Sequence, residues 1–193
     1  MTKPRVLLKD NFYHVTIHGH NELAIFANYE NKAAFLRILS KVHLKYKFTL
    51  LAYCIMSNHY HLLIKSVEVP LSMVVGSINL RYSLWYKRRH GHKGTLYDAR
   101  FFAETRNSAQ SLITTSVYIH CNPVHTLTPI VLSAELYEFS SYKYYFYELT
   151  TPPYLNTALL YSHLPFSFTS DKLNYQNLIS TARRNPNKKS RKK

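Results

Sequence analysis

Two short apolar segments separated by a polar pair constrain the fold of this chain more than any other feature. The first runs from Thr49 to Met56 and the second from His59 to Ile64, with Ser57 and Asn58 between them. Apolar runs of this length are typical of buried strands, and the Ser-Asn pair is typical of a turn. The pattern predicts a β-hairpin near the centre of a sheet.

Further elements are predicted on either side of this hairpin. Polar and apolar residues alternate from Phe12 to His18, which predicts a strand. Apolar residues recur at three- and four-residue spacing in 31–46 and 71–89, which predicts two amphipathic helices. A short strand at 100–103 and a third helix at 108–121 complete the order βαββαβα. This order predicts an α+β fold with a ferredoxin-like core, in which helices flank a central antiparallel sheet.

The pattern weakens beyond the third helix. Residues 135–149 are rich in Tyr and Phe and are predicted to form a helix packed on the core. We expect one main domain over residues 8–147 and a C-terminal extension of unknown role over 148–180. Residues 181–193 are basic and lack an apolar pattern, which predicts a disordered tail.

The charge balance points to a polyanionic partner. The chain carries 25 Lys and Arg against 10 Asp and Glu, for a net charge of +15. Nucleic acid and an anionic membrane surface are the usual partners of so basic a chain. No basic amphipathic helix dominates, which disfavours the membrane surface. No apolar run is long enough to span a membrane and the N-terminus has no signal-peptide core, so we expect a cytoplasmic protein. Cys54 and Cys121 are isolated, which predicts two buried free thiols.

One His-x-His pair stands out from the other histidines. His59 and His61 open the second strand of the hairpin, so their side chains project from one face of the sheet about 7 Å apart along the strand. Two imidazoles at this spacing can share one metal ion, but they can equally be partly buried, hydrogen-bonded core residues. The other two pairs flank glycines in predicted turns and are typical of solvated loops: His18/His20 and His90/His92.

A second pair of residues lies at the end of the third helix. Tyr118 and Asn122 are four residues apart, so both side chains can point into one site. The chain has 17 tyrosines, and a tyrosine considered alone is usually a core residue.

Together these segments resemble a known family. LAYCIMSNHYHLLI at 51–64 closely resembles the signature of the single-tyrosine (Y1) HUH transposases, the IS200-like group, and in particular the REP-associated tyrosine transposases. Four further segments occur in the family's order: YHVT at 13–16, GTLYDARF at 94–101, YIHCNPV at 118–124 and FSSY at 139–142. The resemblance covers about residues 10–147. The chain departs from it at His18 and His125, where relatives have arginine.

The resemblance implies an HUH endonuclease fold with a catalytic tyrosine on a C-terminal helix. It implies that Tyr118 is the nucleophile and that His59, His61 and Asn122 bind a divalent cation. Two imidazoles and an amide oxygen suit Mg²⁺ or Mn²⁺. The expected activity is that of a transposase, a metal-dependent endonuclease and strand transferase acting on single-stranded DNA beside hairpins through a 5′-phosphotyrosine intermediate.

Basic and aromatic residues between the second helix and the fourth strand are candidate DNA contacts, through phosphate pairing and base stacking. They are Arg81, Trp85, Lys87, Arg88, Arg89, Lys93, Tyr97 and Arg100. The sequence leaves open whether the protein forms a homodimer. It also leaves open whether Tyr118 acts in its own subunit or in the partner subunit. The alternatives are a domesticated hairpin DNA- or RNA-binding protein without cleavage activity and a replication initiator. Together, Tyr118 and the three candidate ligands favour an active enzyme.

Overall fold

A four-stranded antiparallel sheet with the order β2-β3-β1-β4 forms the centre of the computed structural model, which describes residues 7, 10–147, 149–167 and 169–184. Its strands are β1 (Phe12–His18), β2 (Phe48–Ile55), β3 (His59–Ser66) and β4 (Phe102–Thr105). The described helices are α1 (Tyr29–Tyr46), α2 (Leu71–His90), α3 (Ala109–Cys121), α4 (Tyr142–Phe146), α5 (Thr157–Tyr161) and α6 (Asp171–Arg184). The central hairpin and the ferredoxin-like α+β fold are therefore confirmed.

The two faces of the sheet pack against different helices. On β3, the Tyr60 ring packs against Phe26 and Phe35, and its hydroxyl donates to Asn79 of α2, so α1 and α2 cover this face. Successive side chains on a strand point to opposite faces. His59 and His61 consequently lie on the other face, which α3 covers.

The fourth strand lies two residues later than predicted. The prediction placed it at 100–103, whereas β4 runs from Phe102 to Thr105 and pairs only with β1. β4 is a short edge strand with mostly exposed side chains, so its own residues carry little apolar alternation to fix its position.

The helix predicted over 135–149 is wrong. Among the residues described in this range, only Tyr142–Phe146 is α-helical, and a 3₁₀ turn at Ala134–Leu136 precedes it. The aromatic residues instead serve the free edge of β2, because the Tyr137 hydroxyl donates to the Ile55 carbonyl and the Tyr145 hydroxyl to the Leu51 carbonyl. These bonds hold the segment alongside the strand.

The C-terminal extension contains α5 and α6. The predicted tail begins at Thr181, but α6 continues through Arg184, and the rest of the tail lies outside the described residues. Cys54 and Cys121 are buried free thiols, as predicted. Within the described ranges, no helix combines the length and hydropathy needed to cross a membrane.

Candidate active site

The paired histidines of β3 converge at their ring nitrogens. The Nε2 atoms of His59 and His61 lie 3.1 Å apart, with the two rings at right angles. His18 of β1 pairs with His59 in the strand register and stacks on its ring at a centroid distance of 4.7 Å. The two imidazoles therefore present one shared site at the end of the hairpin.

Both imidazoles are neutral at pH 7. Burial, with a smaller contribution from nearby His18, lowers the pKa of His59 to about 4. Burial also lowers the pKa of His61 well below its usual value, with added contributions from His59, His14 and His18. A neutral imidazole keeps a lone pair on one ring nitrogen, which is the form that can bind a metal ion.

Tyr118 is brought to this site by α3. Ser108 begins the helix with a capping box, in which the Ser108 and Ser111 side chains each bond the other's backbone N–H. Half-buried Tyr118 lies edge-on to the His61 ring, with centroids 5.4 Å apart, and edge-on to His14 at 5.8 Å. The tyrosine thus contacts the histidines of its own chain.

Asn122 completes the predicted set at the end of α3. Its Nδ2 donates to the Tyr118 carbonyl at 3.1 Å. Its side chain also hydrogen-bonds His61, which partly opposes the lowering of the pKa of that imidazole. The structure therefore brings together all four residues predicted to form the catalytic and metal-binding site: Tyr118, His59, His61 and Asn122.

The predicted DNA contacts lie elsewhere. Arg81 is exposed on α2 and bonds Ser77, and the Arg89 guanidinium pairs with the Glu30 carboxylate at 2.8 and 3.1 Å. Trp85, Lys87 and Arg88 belong to the same helix, which packs on the face opposite the histidines.

Lys93, Tyr97 and Arg100 lie in the segment after α2, which returns to the end of β1. Tyr97 bridges to Gly19, and the Asp98 N–H donates to the His18 carbonyl. Tyr97 is partly buried, with its hydroxyl on the Asn79 carbonyl at 3.4 Å. This segment therefore connects the basic end of α2 with the end of the sheet where His59 lies.

Sequence reasoning missed several residues of the site. His14 contacts both His61 and Tyr118. The even spacing of His14 and His18 in the sequence already placed them on one face of β1, but the pairing with β3 is what brings them to His59 and His61. A cavity of about 580 Å³ also adjoins Tyr118, and it is lined by His14, Glu104 and Arg106 together with polar residues of α3.

No cluster of three or more His, Cys, Asp or Glu side chains suited to a metal ion occurs in the part of the chain that the structure describes. The donor set that the fold assembles is instead two imidazoles with the Asn122 amide alongside.

Comparisons with known proteins relate the chain to transposases. A family model described as transposase IS200 like matches residues 8–122, more than half of the chain. The structure of a REP-associated tyrosine transposase bound to a REP hairpin matches with a TM-score of 0.62 and 18% identity, covering 74% of this chain and 84% of that one. At this identity the likeness shows a shared fold.

A second structure, from Deinococcus radiodurans R1, is of a protein provisionally named a transposase. It matches with a TM-score of 0.44 and 16% identity over 61% of this chain and 96% of that one. No curated protein matches the chain.

Proposed function

The chain belongs to the IS200-like transposase family, and on that premise we propose that it cuts and rejoins single-stranded DNA with Tyr118 as the nucleophile. One observation carries this proposal. The Tyr118 ring lies 5.4 Å from the ring of His61 in the same chain, although the two residues belong to different elements. A nucleophile beside a pair of neutral imidazoles is an arrangement suited to phosphoryl transfer on a bound metal ion.

The side chains present fit a divalent cation. The Nε2 atoms of His59 and His61 are close enough to bind the same ion, and their low pKa values keep them unprotonated at pH 7. The Asn122 amide can add an oxygen ligand, which suits Mg²⁺ or Mn²⁺. Such an ion, when bound, supplies Lewis acidity that offsets negative charge on the scissile phosphate.

Tyr118 performs the bond exchange in this proposal. Its phenolic oxygen forms a bond to phosphorus while the bond from phosphorus to the 3′ oxygen breaks. The phenol loses one proton, and the departing 3′ oxygen gains one to become a 3′-OH. The product is a 5′-phosphotyrosine that keeps the energy of the broken phosphodiester. A 3′-OH from another DNA end can therefore reverse the step without ATP.

We infer that the substrate is a single strand beside a hairpin. The solved relative is bound to a REP hairpin, and this chain shares its fold. The net charge of +15 favours a polyanion, and the cavity beside Tyr118 has room for a nucleotide next to the nucleophile.

A covalent-adduct assay tests the proposed activity. Labelled hairpin-bearing single strands incubated with the protein and Mg²⁺ should give an adduct that survives denaturing electrophoresis. Tyr118→Phe should abolish this adduct, whereas Tyr147→Phe, which changes a half-exposed tyrosine away from the site, should retain it. Hairpin binding by the wild type without any adduct would favour the alternative of a binding protein that does not cleave.

A second assay tests the metal ligands. His59→Ala should remove both the binding of Mn²⁺, measured by calorimetry, and the dependence of adduct formation on added metal. His43→Ala is the matched control, because His43 is partly buried against Phe48 and Tyr154 outside the site. Unchanged Mn²⁺ binding in His59→Ala would show that the ligand assignment is wrong.

A further inference from the structure

We propose that Asn58 and His14 are positioning residues, which hold His59 and His61 in the tautomers that direct both Nε2 lone pairs toward one metal ion. This inference deepens the proposed metal site and rests on it. An imidazole that binds a metal through Nε2 must carry its proton on Nδ1, and it needs an acceptor for that proton. The structure places a separate side chain, able to accept that proton, beside the Nδ1 of each histidine.

Asn58 is the acceptor for His59. Its Oδ1 lies 2.7 Å from the Nδ1 of His59, and an amide oxygen can only accept. The orientation of the amide is fixed from its other side, because Asn58 Nδ2 donates to the Glu22 carboxylate at 2.8 Å. His59 therefore carries its proton on Nδ1 and keeps its lone pair on Nε2.

Glu22 is itself held in an uncommon backbone conformation. Glu22 and the preceding Asn21 have φ angles of 61° and 49°. Residues other than glycine rarely adopt this left-handed region of the backbone. The Asn21 N–H donates to the Asp98 carboxylate at 2.9 Å, which helps to fix this turn. Such strain persists only where surrounding contacts determine it, and here it places a carboxylate against Asn58.

His14 is placed to be the acceptor for His61 when a metal ion is bound. Its Nε2 lies 3.0 Å from the Nδ1 of His61, and the two rings stack with centroids 5.2 Å apart. The Nε2 of His61 faces the Nε2 of His59, which already presents a lone pair. When His61 also turns a lone pair toward a shared cation, its proton has to lie on Nδ1, where His14 accepts it.

The Asn58 and His14 contacts are built by different parts of the fold. Asn58 belongs to the turn of the β2–β3 hairpin, so its position follows from the chain next to His59. His14 belongs to β1, and it lies two residues from Thr16, which pairs with His61 in the strand register. The His14 contact therefore depends on the pairing of two strands that are distant in sequence.

Metal affinity of designed variants tests the positioning role. His14→Phe keeps an aromatic ring and removes the acceptor, and it should weaken Mn²⁺ binding, measured by calorimetry, by about 10- to 100-fold. His14→Gln keeps an acceptor near the same place and should recover much of the affinity. For the contact with His59, Asn58→Leu removes the acceptor and should weaken Mn²⁺ binding, whereas Asn58→Asp keeps an acceptor and should recover part of the affinity. His43→Phe is the matched control and should bind Mn²⁺ like the wild type.

The tautomers provide a readout that a purely structural role would not move. In wild-type protein with ¹⁵N-labelled histidine, long-range ¹H–¹⁵N spectra should show His59 protonated on Nδ1 without metal, and both His59 and His61 protonated on Nδ1 with Mg²⁺. Protonation of His59 on Nε2 overturns the proposal, as does Mn²⁺ affinity that is unchanged in a folded His14→Phe variant. A wild-type protein that binds no Mn²⁺ overturns the proposed metal site and this inference together, whereas unchanged variants overturn the inference alone.

Discussion

His120 shows how one residue of the Tyr118 segment serves the fold rather than the chemistry. It is fully buried on α3, where its Nδ1 bonds the Tyr175 hydroxyl at 2.8 Å and its Nε2 bonds the Ser141 hydroxyl at 2.7 Å. Burial lowers its pKa to about 3. His120 therefore stays neutral in the folded protein. Its two bonds connect α3 to α6 and to the residue that precedes α4.

The burial of His120 should make the free energy of unfolding depend on pH, and we predict that His120→Gln removes this dependence. Between a folded pKa of about 3 and the ordinary value of 6.5, the unfolded chain binds a proton that the folded chain does not. Stability contributed by neutral His120 is thus complete above pH 6.5 and falls as the pH drops toward 3, by about 1.4 kcal/mol per pH unit. From pH 7 to pH 5, the variant should lose about 2 kcal/mol less free energy of unfolding than the wild type.

Urea titrations of both proteins at the two pH values measure this difference. Other histidines with lowered pKa values contribute equally to both proteins, so the comparison isolates His120. Equal pH dependence of the two unfolding free energies would contradict the buried, neutral state of this imidazole.

At the scale of elements, α3 is held from two sides. Its Tyr118 side faces the histidines of the sheet, while Ser116, His120 and Cys121 face the C-terminal part of the chain. Tyr175 of α6 is fully buried there, and its hydroxyl donates to Ser116 at 2.9 Å. The helix that carries the proposed nucleophile is therefore packed between the sheet and α6.

Tyr175→Phe should measure the strength of this contact. The change removes one hydroxyl and leaves the His120 Nδ1 and the Ser116 hydroxyl with one partner fewer in a buried environment. We expect a loss of about 1–3 kcal/mol in the free energy of unfolding, measured in urea. Tyr147→Phe, at a half-exposed position, is the control and should change stability little. Equal stabilities of the two variants would show that the bonds of the Tyr175 hydroxyl contribute nothing.

The start of α3 offers a second test at this scale. Ser108→Ala removes the side-chain oxygen that accepts from the Ser111 N–H, and should lower the free energy of unfolding by about 1 kcal/mol. Ser83→Ala on α2 serves as the comparison, because Ser83 lies in the interior of its helix rather than at a cap. Thermal or urea unfolding of both variants gives the difference, and a Ser108→Ala protein as stable as the wild type would argue against the cap.

The elements that the sequence predicts well are those whose pattern is set by their own burial. Strand β1 was predicted with its bounds because polar and apolar residues alternate along it. Helix α2 was predicted to within one residue because one repeating face of it contacts the core. The segment 135–149 was mispredicted because its aromatic residues bond the distant edge of β2, which no local periodicity records.

The same distinction applies to the candidate site. His59 and His61 are adjacent along one strand, so their convergence follows from the period of a strand. Tyr118 and Asn122 share a helix face by spacing, but only the family resemblance related them to the histidines. The contact of His14 with His61 joins residues of two strands and depends on the register between them, which the residue pattern alone left undetermined.

At the scale of the whole molecule, the basic end of α2 and the candidate active site are separated. The basic end of α2 lies on the face opposite the histidines, and Arg89 there is neutralised by Glu30. The segment 91–100 passes from this face to the end of β1 beside His18. A bound strand that reaches Tyr118 from the basic helix end would follow this segment.

Lys93→Ala tests that path. If exposed Lys93 contacts a phosphate, the plot of log affinity for hairpin-bearing single strands against log salt concentration should become shallower by about 0.7. Lys41→Ala removes an equal charge from α1 and should leave the slope unchanged. Fluorescence anisotropy at several salt concentrations measures both, and equal slopes for the two variants would place the strand elsewhere.

The packing of α6 on α3 also sets an order of events during synthesis. Tyr175 follows Ser116 by 59 residues, so a ribosome has already made both histidines and Tyr118 well before it makes the helix that supports them from behind. A nascent chain stopped in this interval has every proposed catalytic side chain but lacks this support for the nucleophile helix. The proposed cleavage of DNA would then become possible only late in translation, once the sheet is complete and α6 has docked.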